Sequence, residues 1–333
     1  MLRPLLLLPC LFCAAALGAA TGPGDWIPAE ARWLVRLEVS ELTRGQLGEV
    51  VQQFAKWPDV APKLAALDAM TGFAPLRDLR TVVLCGSTAE ERDALLYLSG
   101  SFDRERLEIL ARAGDGHTTT EVDTAVIHRL APDPESGDPS NYACFLRDDL
   151  LVFGQRLDHV RLAVSVASGA SPSAADAGTL PEAGDAPLVM IAQARGVQEL
   201  VAGTPNARML RHVKTIALRL HQTDDALVGK ATLTAVSPEL AQQVIQIAQG
   251  LKALAALGAN EHPQLADLAG RADLSRDGAA VSLRIELPFP MVLRMLRQSL
   301  PPSAPASDGD RPSDSEPPGR EAPDGDTADD PVE

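Results

Sequence analysis

The two cysteines beyond residue 20 are the side chains with the most versatile chemistry in this sequence. Cys85 and Cys144 would form a disulfide in an oxidising compartment if their Cα atoms lay within about 7 Å of each other. Two separate, unreactive thiols are the alternative. A cysteine nucleophile needs a histidine and an orienting group beside it, and the sequence nominates neither, so a thiol-based catalyst is not predicted.

Six histidines are spread along the chain without the spacing of a metal site. No two of them are four residues apart, as they would be in a helical metal-binding pair. His221 alternates with Arg219 on a strand, so we expect its side chain to be solvated. We predict no metal or other cofactor at His117, His128, His159, His212, His221 and His262.

The adjacent carboxylates Asp148 and Asp149 are a candidate acid–base pair. Neighbouring residues of an extended strand point to opposite faces, so these two side chains could not converge on one substrate atom. The equivalent position later in the chain, Asp277-Gly278, has the residues of a hairpin turn. We therefore predict a turn here and no catalytic role.

Polar and apolar residues alternate along the strands near the C-terminal end. The segments 214–221 and 281–287 each place apolar residues on one face and polar residues on the other, which is typical of half-buried antiparallel strands. The polar face would carry Arg219, His221, Lys230, Arg284 and Glu286. It is either a binding surface or the solvated side of a sheet.

A long helix is predicted between these strands. Ser237 can cap it, Pro238 suits its first position and Gly258 ends it. Its apolar stripe is predicted to face the sheet as core and not to bind a partner; the stripe comprises Leu240, Val244, Ile247, Leu251 and Leu254. Further helices are predicted at 41–54, 62–70, 104–112, 157–167 and 290–296.

Short segments recur in the same order in two parts of the chain. Residues 80–84 resemble residues 214–218, and residues 147–152 match residues 276–281. We predict two related α+β halves, 21–180 and 181–300, each an antiparallel sheet with helices packed on one face. In this alignment Cys85 and Cys144 fall on the outward face of the first half's sheet.

The first twenty residues have the pattern of a cleaved export signal. Arg3 precedes an apolar run over 5–16, which is shorter than the about 20 residues that span a bilayer, and the small residues 18–20 suit cleavage after Ala20. Cys10 and Cys13 lack the small-residue context of a lipoprotein signal, which favours ordinary cleavage over lipidation. We expect an exported chain, periplasmic or extracellular, without a transmembrane segment in its mature part.

Charge and composition limit the partners. Residues 301–333 hold ten acidic residues against two arginines and few large apolar side chains, so we predict a disordered, solvating tail; a weak Ca²⁺ or cationic-partner site is the alternative. The whole chain has a net charge of −15 and 4% aromatic residues. It therefore lacks the basic stripe and stacking platform that nucleic acids require, and no nucleic-acid partner is expected.

Four short segments resemble segments of known proteins: 33–39, 72–79, 100–103 and 148–154. They are similar to a family of exported, functionally uncharacterised bacterial proteins of planctomycete and myxobacterial type. The resemblance covers most of residues 30–200. It implies an α+β fold and transfers no catalytic residues.

The motifs of the common enzyme classes are missing from the sequence. Beyond residue 20 there is no Gly-rich phosphate loop before a helix, no His-Glu-x-x-His, no Gly-x-Ser-x-Gly and no Cys-x-x-Cys. The sequence favours an exported, non-enzymatic binding or structural module of the cell envelope, with a protein or a small ligand as its partner. A secreted hydrolase-type enzyme whose site is assembled from distant residues is the alternative.

Overall fold

The structure, a computed structural model, describes residues 23–130, 141–178, 180, 186–193, 212–258 and 263–299. Side chains are described as far as residue 294. The predicted export signal at 1–20, the predicted tail at 301–333 and His262 lie outside these residues, so the expectations for them stay predictions.

The described residues contain twelve strands, which join in a single sheet. The strands are β1 (Trp33–Glu38), β2 (Leu79–Gly86), β3 (Ala94–Gly100), β4 (Thr118–Val122), β5 (Ala125–Leu130), β6 (Asn141–Arg147), β7 (Leu150–Gly154), β8 (Leu188–Gln193), β9 (Val213–Gln222), β10 (Ala226–Ala235), β11 (Asp273–Asp277) and β12 (Ala280–Pro288). Their order is β11-β12-β10-β9-β8-β1-β2-β3-β7-β6-β5-β4. Every neighbouring pair is antiparallel, so one sheet runs through both predicted halves.

Ten helices accompany the sheet in the described part of the chain. They are α1 (Val39–Leu42), α2 (Gly45–Ala55), α3 (Ala61–Thr71), α4 (Pro75–Asp78), α5 (Arg104–Ala113), α6 (Leu157–Ala167), α7 (Ala174–Ala177), α8 (Pro238–Leu257), α9 (Pro263–Arg271) and α10 (Phe289–Ser299). The predicted α+β class, with a large antiparallel sheet and helices, is confirmed.

Local signals in the sequence locate several element ends correctly. Ser237 Oγ accepts the backbone N–H of Leu240 at 3.4 Å, and Pro238 is the first residue of α8. Gly278 has a φ of +54° in the turn between β11 and β12, a conformation that glycine adopts without strain. The predicted helix over 41–54 is instead two helices, α1 and α2, because the chain bends at Gly45, whose φ is +67°.

The main hydrophobic core lies on one face of the sheet, named here the Val83 face. Four side chains that are at most 1% exposed lie side by side across β2, β3, β7 and β6: Val83, Tyr97, Val152 and Cys144. The Trp26 ring covers Tyr97 with 4.7 Å between ring centroids, and Val160 of α6 joins the same cluster. The segment before β1 and helix α6 therefore close this face.

Helices also lie on the opposite face, named here the Leu84 face. Ala241 and Ile245 of α8 pack there against Val281 and Leu233, which lie in direct register on β12 and β10. Helix α6 of the first predicted half and helix α8 of the second half therefore lie on opposite faces of the sheet. Both sides of the sheet hold buried apolar side chains, since Leu151 on the Leu84 face is 7% exposed and Val152 on the Val83 face is 0% exposed, and each apolar side needs cover.

Only the N-terminal part of the apolar stripe of α8 faces the sheet. Its Leu240 and Val244 pack beside the buried Ala241 and Ile245. Ile247 is 49% exposed and Leu251 is 61% exposed. The prediction that the whole stripe belongs to the core is therefore wrong for its C-terminal part.

Candidate functional site

The five residues predicted to share a polar sheet face do share it. Arg219 on β9 lies directly opposite Lys230 on β10, and Lys230 lies directly opposite Arg284 on β12. His221 and Glu286 lie in the adjoining row, on either side of the buried Val228. Residues that pair directly across strands point to the same side of the sheet, so all five belong to the Val83 face. We call them the polar face.

The central feature of the polar face is a row of three cationic side chains on adjacent strands. Directly opposed residues have Cβ atoms about 5 Å apart, so Lys230 lies between Arg219 and Arg284 in the row. Lys230 and Arg284 are exposed, and Arg219 is half-buried. This places three positive charges within roughly two strand spacings.

Acidic groups lie beside Arg284 in this row. Arg284 Nη2 lies 3.4 Å from Glu286 Oε2, and Asp273 on β11 lies directly opposite Arg284. The ion pair is exposed, with 48% and 59% of the two side chains accessible, so it contributes little to stability. It leaves Arg284 free to exchange Glu286 for another anion.

Hydroxyl groups border the cationic row. Thr232 and Ser282 are opposite each other on β10 and β12, two residues along from Lys230 and Arg284, and their oxygens are 3.2 Å apart. One hydroxyl donates to the other, and the remaining proton can serve an acceptor above the sheet. The polar face thus combines charged and neutral hydrogen-bond donors.

Of the two alternatives for Cys85 and Cys144, the structure has two separate thiols. Both thiols are free, and they lie on β2 and β6, which are three strand spacings, about 14 Å, apart in the sheet. A disulfide requires Cα atoms within about 7 Å.

The predicted outward position of the two cysteines is wrong. Cys85 is 1% exposed and Cys144 is fully buried, because Trp26, Ile27 and α6 cover the Val83 face at this place. Burial raises the pKa of Cys85 to about 12 and that of Cys144 to about 11, so neither is a thiolate near neutral pH.

A small cleft of about 160 Å³ lies beside Cys85 and brings Glu30, Asp93 and His159 to its walls. Asp93 is already engaged, since it accepts a hydrogen bond from Thr88 Oγ1 at 2.8 Å and lies 3.5 Å from Arg156. The walls of the cleft also include Ser87 and the buried thiol of Cys85, which its raised pKa keeps protonated near neutral pH.

Asp148 and Asp149 form the predicted turn, between β6 and β7. The two carboxylates diverge, because Asp148 pairs with Arg104 at 3.3 Å and Asp149 pairs with Arg80 at 2.8 Å. The arrangement holds a hairpin to its neighbours and provides no shared site.

A histidine pair was missed by sequence reasoning. His117 Nε2 lies 3.0 Å from Nδ1 of His128, which is 5% exposed. The ring centroids are 5.3 Å apart, so the two nitrogens lie close to the line that joins the rings and face each other in a hydrogen bond. They do not converge on a third point, as two metal ligands would. The hairpin of β4 and β5 was the available signal, because it pairs Thr119 with His128 and brings His117 alongside.

Within the described ranges, no three His, Cys, Asp or Glu side chains are placed to hold one metal ion. No helix in the same ranges has both the length and the apolar composition needed to cross a bilayer.

Comparisons with known proteins give a likeness at the level of fold. No family model and no curated protein matches the chain. Crystal form III of TP0453 aligns at 9% identity with a TM-score of 0.44, covering 84% of this chain and 100% of that chain. Crystal form IV of TP0453 aligns at 10% identity with a TM-score of 0.45, covering 84% and 97%. A likeness at these TM-scores carries no argument about what this chain binds or does.

Proposed function

We propose that this chain is an exported, non-enzymatic binding module of the cell envelope that holds an anionic ligand on the polar face. The observation that carries the proposal is the direct register of Arg219, Lys230 and Arg284 on three adjacent strands. Like charges placed opposite each other on a sheet are destabilising. A bound ligand with acidic groups would offset this repulsion between the three side chains.

The cationic row contrasts with the acidic composition of the whole chain. The net charge is −15, so a cationic cluster is not a by-product of a basic sequence. On a sheet face that contacts only solvent, opposite charges in register are the more stable arrangement, as for Arg284 on β12 and Asp273 on β11. The row from Arg219 to Lys230 to Arg284 departs from that pattern.

The spacing of the row indicates the chemistry of the ligand. Neighbouring cationic side chains start about 5 Å apart, which suits a ligand with two or more acidic groups separated by a similar distance. Arginine binds carboxylate and phosphate through paired hydrogen bonds, and lysine adds a point charge between them. The hydroxyls of Thr232 and Ser282 can complete the contacts of one acidic group.

The alternative, a secreted hydrolase, has weaker support. The cleft beside Cys85 is lined by Ser87, Asp93 and His159, and burial keeps the Cys85 thiol protonated. Asp93 is committed to Thr88 and Arg156. A binding role for the polar face requires no such activated group.

We also infer that the two halves are related by duplication. Counting outward from the centre of the sheet, one side runs β1-β2-β3-β7-β6 and the other runs β8-β9-β10-β12-β11, with corresponding places in chain order. This supports the repeat that the sequence predicts. The polar face would then be the second half's counterpart of the surface that Trp26 and α6 bury in the first half.

The experiment is a calorimetric titration of the mature chain with pyrophosphate and with citrate at low salt, where charge interactions are least screened. Lys230→Glu should weaken binding at least ~10-fold, about 1.4 kcal/mol. Arg276→Glu is the matched control, because it makes the same charge change on an exposed residue of β11 that points to the Leu84 face. Equal affinities for wild type and Lys230→Glu, or no binding of either anion, would count against the proposal.

A further inference from the structure

The C-terminal half of α8 carries an exposed apolar stripe. Ile247, Leu251, Leu254 and Leu257 are 49%, 61%, 64% and 81% exposed, at a spacing of four, three and three residues that places them along one side of the helix. Leu265 of the adjacent α9 is 56% exposed. Single exposed leucines are ordinary, but a contiguous group of this kind marks an interaction surface.

The exposed side of α8 around the stripe is uncharged. From residue 242 to residue 257, the exposed side chains of α8 are glutamine, alanine, isoleucine and leucine, apart from the bare Gly250. Lys252 is the one charged residue in that range, and its ammonium donates to the carbonyl of Ala272. The helix therefore has no salt-bridge rim that would select a charged partner.

We propose that this stripe is the contact surface for a second copy of the chain, with the two α8 helices packed antiparallel about Leu251. Ile247 lies four residues before Leu251 and Leu254 lies three residues after it. The spacing of apolar residues along the helix is therefore nearly the same in both directions from Leu251. An antiparallel copy then sets Leu251 against Leu251 and Ile247 against Leu254. This is the self-complementarity that a twofold interface requires.

Charge favours the same place for self-association. Each copy has a net charge of −15, so two copies repel each other over most orientations. The uncharged side of α8 is a surface on which they meet without opposing like charges. Since the helix ends at Leu257, two antiparallel copies centred on Leu251 overlap over residues 245–257, which gives a seam about 18 Å long.

The stripe and the polar face lie on different sides of the sheet. The polar face lies on the Val83 face of the sheet, whereas α8 packs on the Leu84 face through Ala241 and Ile245. A variant of the stripe should leave anion binding unchanged, and Lys230→Glu should leave the oligomeric state unchanged.

Sedimentation velocity of the mature chain tests the interface. We expect a dimer at ~100 μM for wild type and a monomer for Leu251→Glu, a shift in dissociation constant of at least ~100-fold. Ile109→Glu is the matched control, since Ile109 on α5 is 54% exposed and outside the stripe, and this variant should remain dimeric. A wild-type monomer at every concentration, or a dimer of Leu251→Glu, would overturn the proposal.

Cysteine crosslinking tests the geometry. Under mild oxidation Leu251→Cys should join two copies by a disulfide, because the two substituted residues meet at the centre of the seam. Leu257→Cys should not, because antiparallel packing puts its two copies about 18 Å apart along the helix axis. Crosslinking of Leu257→Cys in preference to Leu251→Cys would show a different arrangement and contradict the antiparallel seam.

Discussion

His117 and His128 share one hydrogen bond, with 3.0 Å between Nε2 of the first and Nδ1 of the second. One ring must present an unprotonated nitrogen to the other, so the pair cannot keep this contact when both rings are fully protonated. Burial lowers the pKa of His128, and the positive charges of His117, Arg112 and Arg104 lower it further against the opposing effect of Glu108.

Folding stability should therefore fall as the pH drops below about 6.5. The unfolded state takes up a proton at its ordinary pKa near 6.5 while folded His128, with its lowered pKa, stays neutral, so acid favours unfolding. Glu108 acts in the same direction at lower pH, because its hydrogen bond with Arg104 lowers its pKa below the usual 4.5. Urea midpoints at about pH 7.5 and pH 5.5 measure the effect.

His128→Gln isolates the contribution of the pair. The amide can still exchange a hydrogen bond with His117 but does not titrate, so this variant should lose less stability between the two pH values than wild type does. His159→Gln, on the half-exposed side of α6, is the control and should follow wild type. If the acid response of His128→Gln equals that of wild type, the pair is not its source.

Both thiols of the folded chain should be inert. Cys85 and Cys144 are buried and protonated, with pKa values raised to about 12 and about 11, so a thiol reagent should label neither at neutral pH. After denaturation without reductant, two thiols per mature chain should react. Absence of the two thiols in the denatured chain would reveal a disulfide and contradict the separation of β2 and β6 in the sheet.

A glycine beside Trp33 should be intolerant of a side chain. A Cβ at Gly86 would lie 2.7 Å from Cζ2 of Trp33, whose indole N–H donates to the carbonyl of Thr88 at 2.6 Å. Gly86→Ala must displace the ring and should cost about 1–3 kcal/mol of unfolding free energy. Gly270→Ala in α9 has open space around it and should cost nothing. Equal unfolding midpoints for the two variants would show that Trp33 is not held where the structure has it.

The predicted tail should be dispensable for folding. Residues 301–333 have ten acids, two arginines and few large apolar side chains, so deleting them removes little apolar burial. Thermal unfolding of a chain ending at Leu300 should match that of the full mature chain. A midpoint lowered by more than a few degrees would show that the tail contributes to the fold.

The parts of the fold set by local chemistry could be predicted from the sequence. Ser237 and Pro238 start α8, the Asp277-Gly278 turn connects β11 and β12, and alternation along β9 and β12 places Arg219 and Arg284 on one face. These signals act within a few residues of each other, so the sequence carries them directly.

The parts set by distant contacts could not. Cys85 is buried because Trp26 and α6 come to cover its face, and nothing near Cys85 in the sequence indicates that. The small residue Ala241 is fully buried where α8 meets the sheet, although the larger residues of the stripe make the stronger apolar pattern in the sequence. His117 and His128 meet only once the register of the β4–β5 hairpin is known.

The most direct test of the account is a nuclear magnetic resonance titration of the isotope-labelled mature chain with pyrophosphate. Binding on the polar face predicts that the amide signals that shift belong to Arg219, Lys230, Arg284 and their strand neighbours, and that Lys230→Glu abolishes these shifts. Shifts centred instead on the cleft around Cys85 and Asp93, or no shifts at all, would contradict it.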